Sequence, residues 1–298
     1  MLTVLQTALE VGLIYGLVAL ALFISFSILN IADLSTDGCF TLGCAVGAML
    51  TIAGHPILAL FAAMAAGMLS GYITAFLQTR LGVESILAGI ISNTGLYTIN
   101  LAVMGFSSNV SITGVDTVFS LFKGLVGGQW SRLILLALIA AVIVLVLIRF
   151  FGTSLGLSIR ATGDSLDMVS ASSINPKATI TIGLCLANAL TALSGCLIGE
   201  YNKFCDINLG TGMVTIALAS LIIGEVFAGR RGSIVYRFII ALALRLNISA
   251  EYFKLVSAVI VAVAIAAPNM KDYVHLAKIK SNARKLRALS GKGDETDA

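Results

Sequence analysis

The chain has 298 residues, 58% of them hydrophobic and 11% charged, and its mean hydropathy is +1.00. Soluble domains carry about 25% charged residues, so this composition excludes an ordinary soluble domain and predicts an all-α polytopic membrane protein. The net charge of +4 does not indicate a nucleic-acid-binding protein, because it comes largely from residues 271–298, which hold seven Lys or Arg and four acidic residues.

Long apolar stretches recur along the chain, each close to the ~20 residues that a helix needs to cross a bilayer. They predict about nine transmembrane helices, within a range of eight to ten, in one transmembrane domain over residues 1–270. The positive-inside rule places the basic tail at 271–298 in the cytoplasm, and alternation then puts 150–176 inside and 106–130 outside. The predicted spans are 3–29, 38–54, 57–78, 85–105, 131–149, 177–200, 211–228, 233–248 and 251–268.

A cluster of polar residues follows the first span without any basic residue to mark a cytoplasmic loop. Charged side chains at membrane depth usually face a cavity or a water path, and the cluster resembles a broken helix near 30–41. A short exposed loop, with Asp37 as the N-cap of the next helix, explains the cluster as well. The candidate translocation-path residues here are Asn30, Asp33, Ser35, Thr36, Asp37 and Thr41.

A second polar group interrupts the fourth span. Asn93, Tyr97 and Asn100 have the i, i+4, i+7 spacing of one helix face, which predicts a polar stripe toward a water path or toward another helix. Asn188, one turn from Thr191 in the sixth span, is a weaker candidate of the same kind. Hydrogen bonding between helices explains the stripe in the fourth span equally well, and it explains Asn188 better than a path role does.

The segment 152–176 is the longest polar stretch between two predicted spans. Asp164 is predicted to cap a short helix from Ser165 to Ser173, and Pro176 ends that helical stretch. The helix presents Met168, Ala171 and Ser172 on one face, which suits docking into a groove of another protein. Alternatively, this helix lies on the lipid interface.

The residues of this segment carry a resemblance to a known family. Gly156, Arg160, Ala161, Gly163 and Asp164, followed by Ala171, Ile174 and Asn175, resemble the cytoplasmic coupling segment of permeases from bacterial ABC importers of the branched-chain amino acid and ribose type. The stretches 12–20, 28–43 and 87–101 look similar to one branch of that family, which includes permeases linked to uptake of tryptophan and related aromatic amino acids. The resemblance covers roughly residues 8–270.

This resemblance implies the ABC importer permease fold and a set of partners. These are a second copy of the chain, two cytosolic ABC ATPase subunits, an extracytoplasmic solute-binding protein or lipoprotein, and the lipid of a bacterial cytoplasmic membrane. The chain has no Gly-x-x-x-x-Gly-Lys-Ser/Thr loop, so we expect ATP to bind the partner subunits and the chain itself to be a non-enzymatic subunit without a cofactor. Aromatic amino acids are the favoured solutes, with branched-chain amino acids, nucleosides or sugars as alternatives.

Other function classes remain open at this stage. A secondary transporter or passive channel also fits helices with intramembrane acids, and an intramembrane protease could use Asp33 and Asp37 as a catalytic pair. The five cysteines lack metal-ligand spacing and are interpreted as packing residues. The tail from Asp272 to Leu289 is predicted to form an amphipathic helix on the inner membrane surface.

Overall fold

A computed structural model describes residues 2–128 and 130–227 of the chain. The described part is mostly helical, with one short two-stranded ribbon. A π-helical turn, Phe23–Ile28, continues the first helix. The elements are α1 (Leu2–Leu22), α2 (Thr36–Ile52), α3 (Pro56–Thr79), α4 (Ser85–Val103), β1 (Asn109–Ser111), α5 (Val118–Val126), α6 (Ser131–Phe151), α7 (Ser154–Asp164), α8 (Leu166–Ala171), α9 (Pro176–Asn202), β2 (Phe204–Asp206) and α10 (Met213–Phe227).

Within the described residues, five helical stretches are long and apolar enough to cross a membrane. They coincide with five of the predicted spans, while the helix predicted at 38–54 is the shorter α2 and that at 211–228 is α10. The predicted spans 233–248 and 251–268 and the amphipathic tail lie outside the described residues. The structure therefore supports a polytopic membrane protein without establishing a count of nine. The five stretches are Leu5–Ile28, Pro56–Thr79, Ser85–Val103, Ser131–Phe151 and Pro176–Asn202.

Helix α9 is the centre of the described fold. In the apolar stretch of α9, 83% of the residues are buried, whereas 17% are buried in that of α6. Glycines make this burial possible: a Cβ on Gly43 of α2 would overlap the backbone of Ala192, and one on Gly195 of α9 would overlap the carbonyl of Phe40. The glycine pairs with i, i+4 spacing on α2, α3 and α9 therefore serve close helix packing within the chain.

Helix α2 runs parallel to α9 but begins only halfway along it. Near its start Asp33 accepts a hydrogen bond from Asn188, and near its end Thr51 donates one to Glu200. Asn188 lies near the middle of α9, about 18 Å from Pro176 at about 1.5 Å per residue. Helical structure is thus interrupted over residues 29–35, a shorter break than the one predicted near 30–41, because α2 already begins at Thr36. The chain reaches the level of the middle of α9 before α2 starts.

The described domain has two ends. At one end, which we call the α7 face, α7 packs on the π-helical turn and on the start of α9, where Thr162 and Thr179 share a hydrogen bond of 2.8 Å. At the other end, the β face, β1 pairs antiparallel with β2, and α5 packs against α6 and the end of α9. The segments 150–176 and 106–130 therefore lie at opposite ends, as the alternation of spans predicted.

The predicted capping of the short helix at the α7 face is wrong in one respect. Asp164 is the last residue of α7, and Ser165 caps α8 by accepting a hydrogen bond from the Met168 N–H. Ser165 is the extended residue between two consecutive helices (φ −160°, ψ 112°), so its side chain can face the free amides of α8. The helix is also shorter than predicted, ending at Ala171.

Candidate functional site

A polar cavity of about 300 Å³ lies between the start of α2, the middle of α4 and the loop that leads into α10. Small-solute sites in proteins have volumes of this order or larger. Its lining combines amides, hydroxyls and one aspartate with the apolar surfaces of Tyr97 and Ile207. The lining residues are Asp37, Gly38, Thr41, Asn93, Thr94, Tyr97, Asn100, Ile207, Asn208 and Thr211.

The carboxylate of Asp37 joins α2 to α10. Its Oδ2 accepts a hydrogen bond from the Gly212 N–H and its Oδ1 accepts one from the Val214 N–H, both at 2.8 Å. An anion is favourable at this position because the first amides of a helix are free donors at the positive end of the helix dipole. Two helices consequently begin at the same level, halfway along α9, with Asp37 between their N-termini.

Thr41, one turn further along α2, fixes the same loop. Its Oγ1 accepts a hydrogen bond from the Gly210 N–H at 3.0 Å and donates one to the Asp37 carbonyl at 3.3 Å. Gly210 approaches the backbone of α2 so closely that a Cβ would overlap the Asp37 carbonyl. The loop before α10 is therefore pressed against the first turn of α2 and forms one side of the cavity.

Helix α4 supplies the opposite side of the cavity. Asn93, Tyr97 and Asn100 all line it, so the stripe predicted from their spacing does lie on one helix face toward a polar space. Asn100 is 1% exposed and donates from Nδ2 to the Gly38 carbonyl at 3.0 Å, whereas Tyr97 is 51% exposed. The structure thus brings together five of the predicted path residues: Asp37, Thr41, Asn93, Tyr97 and Asn100.

The other predicted path residues lie outside this lining. Asp33 is 2% exposed, and its Oδ1 accepts hydrogen bonds from the N–H and the hydroxyl of Ser35 while its Oδ2 accepts one from Asn188. Thr36 donates to the Asp33 carbonyl, and Asn30 is exposed with a φ of +55°. These contacts hold the 29–35 turn against α9. A role in translocation stays a prediction for all ten of the predicted path residues.

Comparison with known proteins identifies the family to which the chain belongs. Residues 4–268 match the family described as "Branched-chain amino acid transport system / permease component". The chain belongs to this permease family. It is 30% identical to the tyrosine transport system permease protein of Clostridioides difficile (strain R20291), over 94% of this chain and 95% of that protein. It is 32% identical to an uncharacterized protein of Rickettsia prowazekii (strain Madrid E), over 90% and 99% of the two chains.

No solved structure matches the permease. The resemblance read from its coupling-segment residues and from the stretches 12–20, 28–43 and 87–101 is confirmed at the level of the family. Because it belongs to this family, the chain is a membrane permease of an amino acid transport system, in agreement with its apolar helices.

The predicted coupling residues of the permease fall into a packed set and an exposed set. Gly163 abuts the Ile28 carbonyl, Gly156 abuts the backbone of Phe151, and the Arg160 guanidinium lies 5.4 Å from the centre of the Phe151 ring. Met168 is 60% exposed, and its neighbours Ala171 and Ser172 are exposed as well. Asp164 and Asn175 are exposed, and Ala161 and Ile174 are half-buried. Asn175 caps α9 by accepting a hydrogen bond from the Lys177 N–H.

Glu200 is a buried carboxylate that the sequence reasoning missed. It is 1% exposed, and it accepts hydrogen bonds from the Thr51 hydroxyl at 3.1 Å and from the Val118 N–H at 2.8 Å. It thus holds α5 of the permease to the ends of α2 and α9 at the β face. A glutamate within an otherwise apolar span is the sequence signal that could have singled it out.

Proposed function

We propose that the chain is the membrane-spanning permease subunit of an ATP-driven importer of amino acids, with aromatic amino acids such as tyrosine and tryptophan as the favoured solutes. The observation that carries the proposal is the polar cavity at half depth, bordered by the N-termini of α2 and α10, in a chain of the amino acid permease family. Discontinuous helices that meet inside the membrane are typical of solute pathways in transporters.

The size and chemistry of the cavity suit a solute of this class. About 300 Å³ is the lower end of the range for small-molecule sites, and the lining offers amides, hydroxyls and one aromatic ring, Tyr97, to a small polar molecule. The preference for aromatic solutes is supported by the 30% identity to a protein named as a tyrosine transport permease.

The partners follow from the same proposal. Two copies of the chain form the path, and the apolar residues exposed on α4 beside the cavity, Ile90, Ile91 and Ile99, suit contact with the second copy. Two cytosolic ATPase subunits dock at the α7 face, where α8 exposes Met168. A solute-binding protein or lipoprotein delivers the solute at the β face, which places that face outside the cytoplasmic membrane of a bacterium and the α7 face inside.

Reconstitution into liposomes tests the proposal directly. The chain is purified together with the ATPase and the binding protein of its transport system, and uptake of labelled tyrosine, tryptophan, leucine and ribose is compared with and without ATP. We expect ATP-dependent accumulation of tyrosine or tryptophan above that of leucine and ribose. Uptake that follows an ion gradient without ATP would show a secondary transporter. Saturable uptake of leucine or ribose, without uptake of tyrosine or tryptophan, would refute the aromatic preference.

A further inference from the structure

We propose that the cavity contains a binding site for the protonated amino group of the solute, formed by the side-chain oxygens of Asp37, Asn93 and Asn100. We call these oxygens the acceptor cluster. The inference rests on the proposed function, because it names the part of an amino acid solute that the same cavity recognises. It assigns the permease a recognition site of its own, in addition to that of a solute-binding protein.

The orientation of the Asn100 side chain is determined by its surroundings. The Gly38 carbonyl can only accept a hydrogen bond, so the Asn100 atom that lies 3.0 Å from it is the amide nitrogen. The carbonyl oxygen of Asn100 then points elsewhere, and it has no hydrogen-bond partner in the described part of the chain although the residue is 1% exposed. A buried acceptor without a partner costs about 1–3 kcal/mol, so a donor from a bound solute would be favourable there.

Asn93 and Asp37 place further acceptors around the same glycine. The Oδ1 of Asn93 lies so close to Gly38 that a Cβ on this glycine would be 2.6 Å from it. Asp37 precedes Gly38, and it also lines the cavity. Its two carboxylate oxygens are acceptors, and they also bind the N–H groups of Gly212 and Val214.

A primary ammonium group is the solute group that matches this cluster. It offers three donors and no acceptor, and hydrogen bonds to a charged donor are about twice as strong as neutral ones. The carboxylate end of an amino acid offers acceptors alone and would oppose the oxygens of Asp37, Asn93 and Asn100. The cluster therefore selects amines and amino acids over carboxylic acids that carry the same side chain.

Binding to the full chain in phospholipid nanodiscs, without ATPase or binding protein, tests the inference. Labelled tyrosine is bound and then competed with tyramine, which keeps the ring and the ammonium, and with 3-(4-hydroxyphenyl)propionate, which keeps the ring and the carboxylate. We expect tyramine to compete and the propionate not to compete. Equal competition by both compounds, or no saturable tyrosine binding, would overturn the inference.

Neighbouring residues on α4 provide a matched pair of variants. Asn93→Ala removes a member of the cluster, whereas Ser92→Ala removes a buried hydroxyl that accepts from Thr74 of α3 at 2.9 Å and lies outside the cavity lining. We expect Asn93→Ala to weaken tyramine binding by about tenfold, the loss of one hydrogen bond to a charged group, and Ser92→Ala to leave it within about twofold. Equal effects of the two variants would overturn the inference.

A second variant covers the more buried member of the cluster. Asn100→Leu is expected to weaken tyramine binding by about tenfold or more, and the Asn93→Ala result stands on its own if this variant does not fold. The liposome assay separates this inference from the proposed function. ATP-dependent tyrosine uptake together with unselective or absent binding in nanodiscs would overturn the ammonium site and leave the proposed function in place.

Discussion

The contact between α2 and α9 can be tested by adding a single methyl group. Gly195 of α9 faces α2, and an ideal Cβ at this position would overlap the Phe40 carbonyl and lie 3.2 Å from the Cys44 nitrogen. Because carbon and carbonyl oxygen in contact are normally about 3.3–3.6 Å apart, α2 would have to retreat by about 1 Å or more. Gly195→Ala should therefore lower the free energy of unfolding by about 1–3 kcal/mol, the usual effect of overpacking.

The matched control is Gly16→Ala. Gly16 also lies within a helix, α1, but a Cβ there would have no atom within 4 Å. This variant should be neutral or slightly stabilising, since alanine exceeds glycine in helix propensity by up to about 1 kcal/mol. The midpoint of thermal unfolding, measured by the size-exclusion profile of heated protein, should fall by roughly 2–12 °C for Gly195→Ala. Equal midpoints for the two variants would refute the close packing of α2 on α9.

Three further predictions concern the cavity and the α7 face. Asp37→Ala should lower the free energy of unfolding by about 1–3 kcal/mol, because two backbone N–H groups lose their acceptor. It should also make α10 more sensitive to limited proteolysis, and a cleavage rate equal to that of the unchanged chain would contradict the capping role of Asp37. In a variant without the native cysteines, Tyr97→Cys should react with a water-soluble thiol reagent much faster than Thr36→Cys, since Tyr97 is 51% exposed and Thr36 is 3% exposed. Similar reaction rates would contradict the burial of Thr36. Met168→Asp should leave the unfolding midpoint unchanged and reduce ATP-driven uptake, whereas normal uptake would refute docking of the ATPase on α8.

The positions of the helices could be predicted because they depend on local properties. A stretch that must cover the hydrocarbon of a bilayer is recognisable from about 20 residues, so Pro56–Thr79 and Pro176–Asn202 fall within a few residues of the predicted 57–78 and 177–200. The stripe of Asn93, Tyr97 and Asn100 was predictable for the same reason, since its spacing within one helix fixes its common face.

The contacts of the acidic residues could not be predicted, because their partners are distant in sequence. Asp33 and Asn188 are 155 residues apart, and Asp37 and Val214 are 177 residues apart. Both aspartates looked equally suited to line a path, yet tertiary packing buries Asp33 against α9 and leaves Asp37 at the cavity. The cap at Ser165 was missed for a local reason: Asp164 and Ser165 are both good capping residues, and the backbone angles decide between them.

The β face has a consequence for how the protein is made. Residues are synthesised from the N-terminus, so Val118 is made 82 residues before Glu200, the acceptor of its N–H. Strand β1 likewise precedes β2, the strand with which it pairs. At about 5–20 residues per second, this interval is on the order of ten seconds. The pairing of β1 with β2 and the contact of α5 with Glu200 therefore form only after α9 has been made, so α9 and the strand that follows it complete the β face.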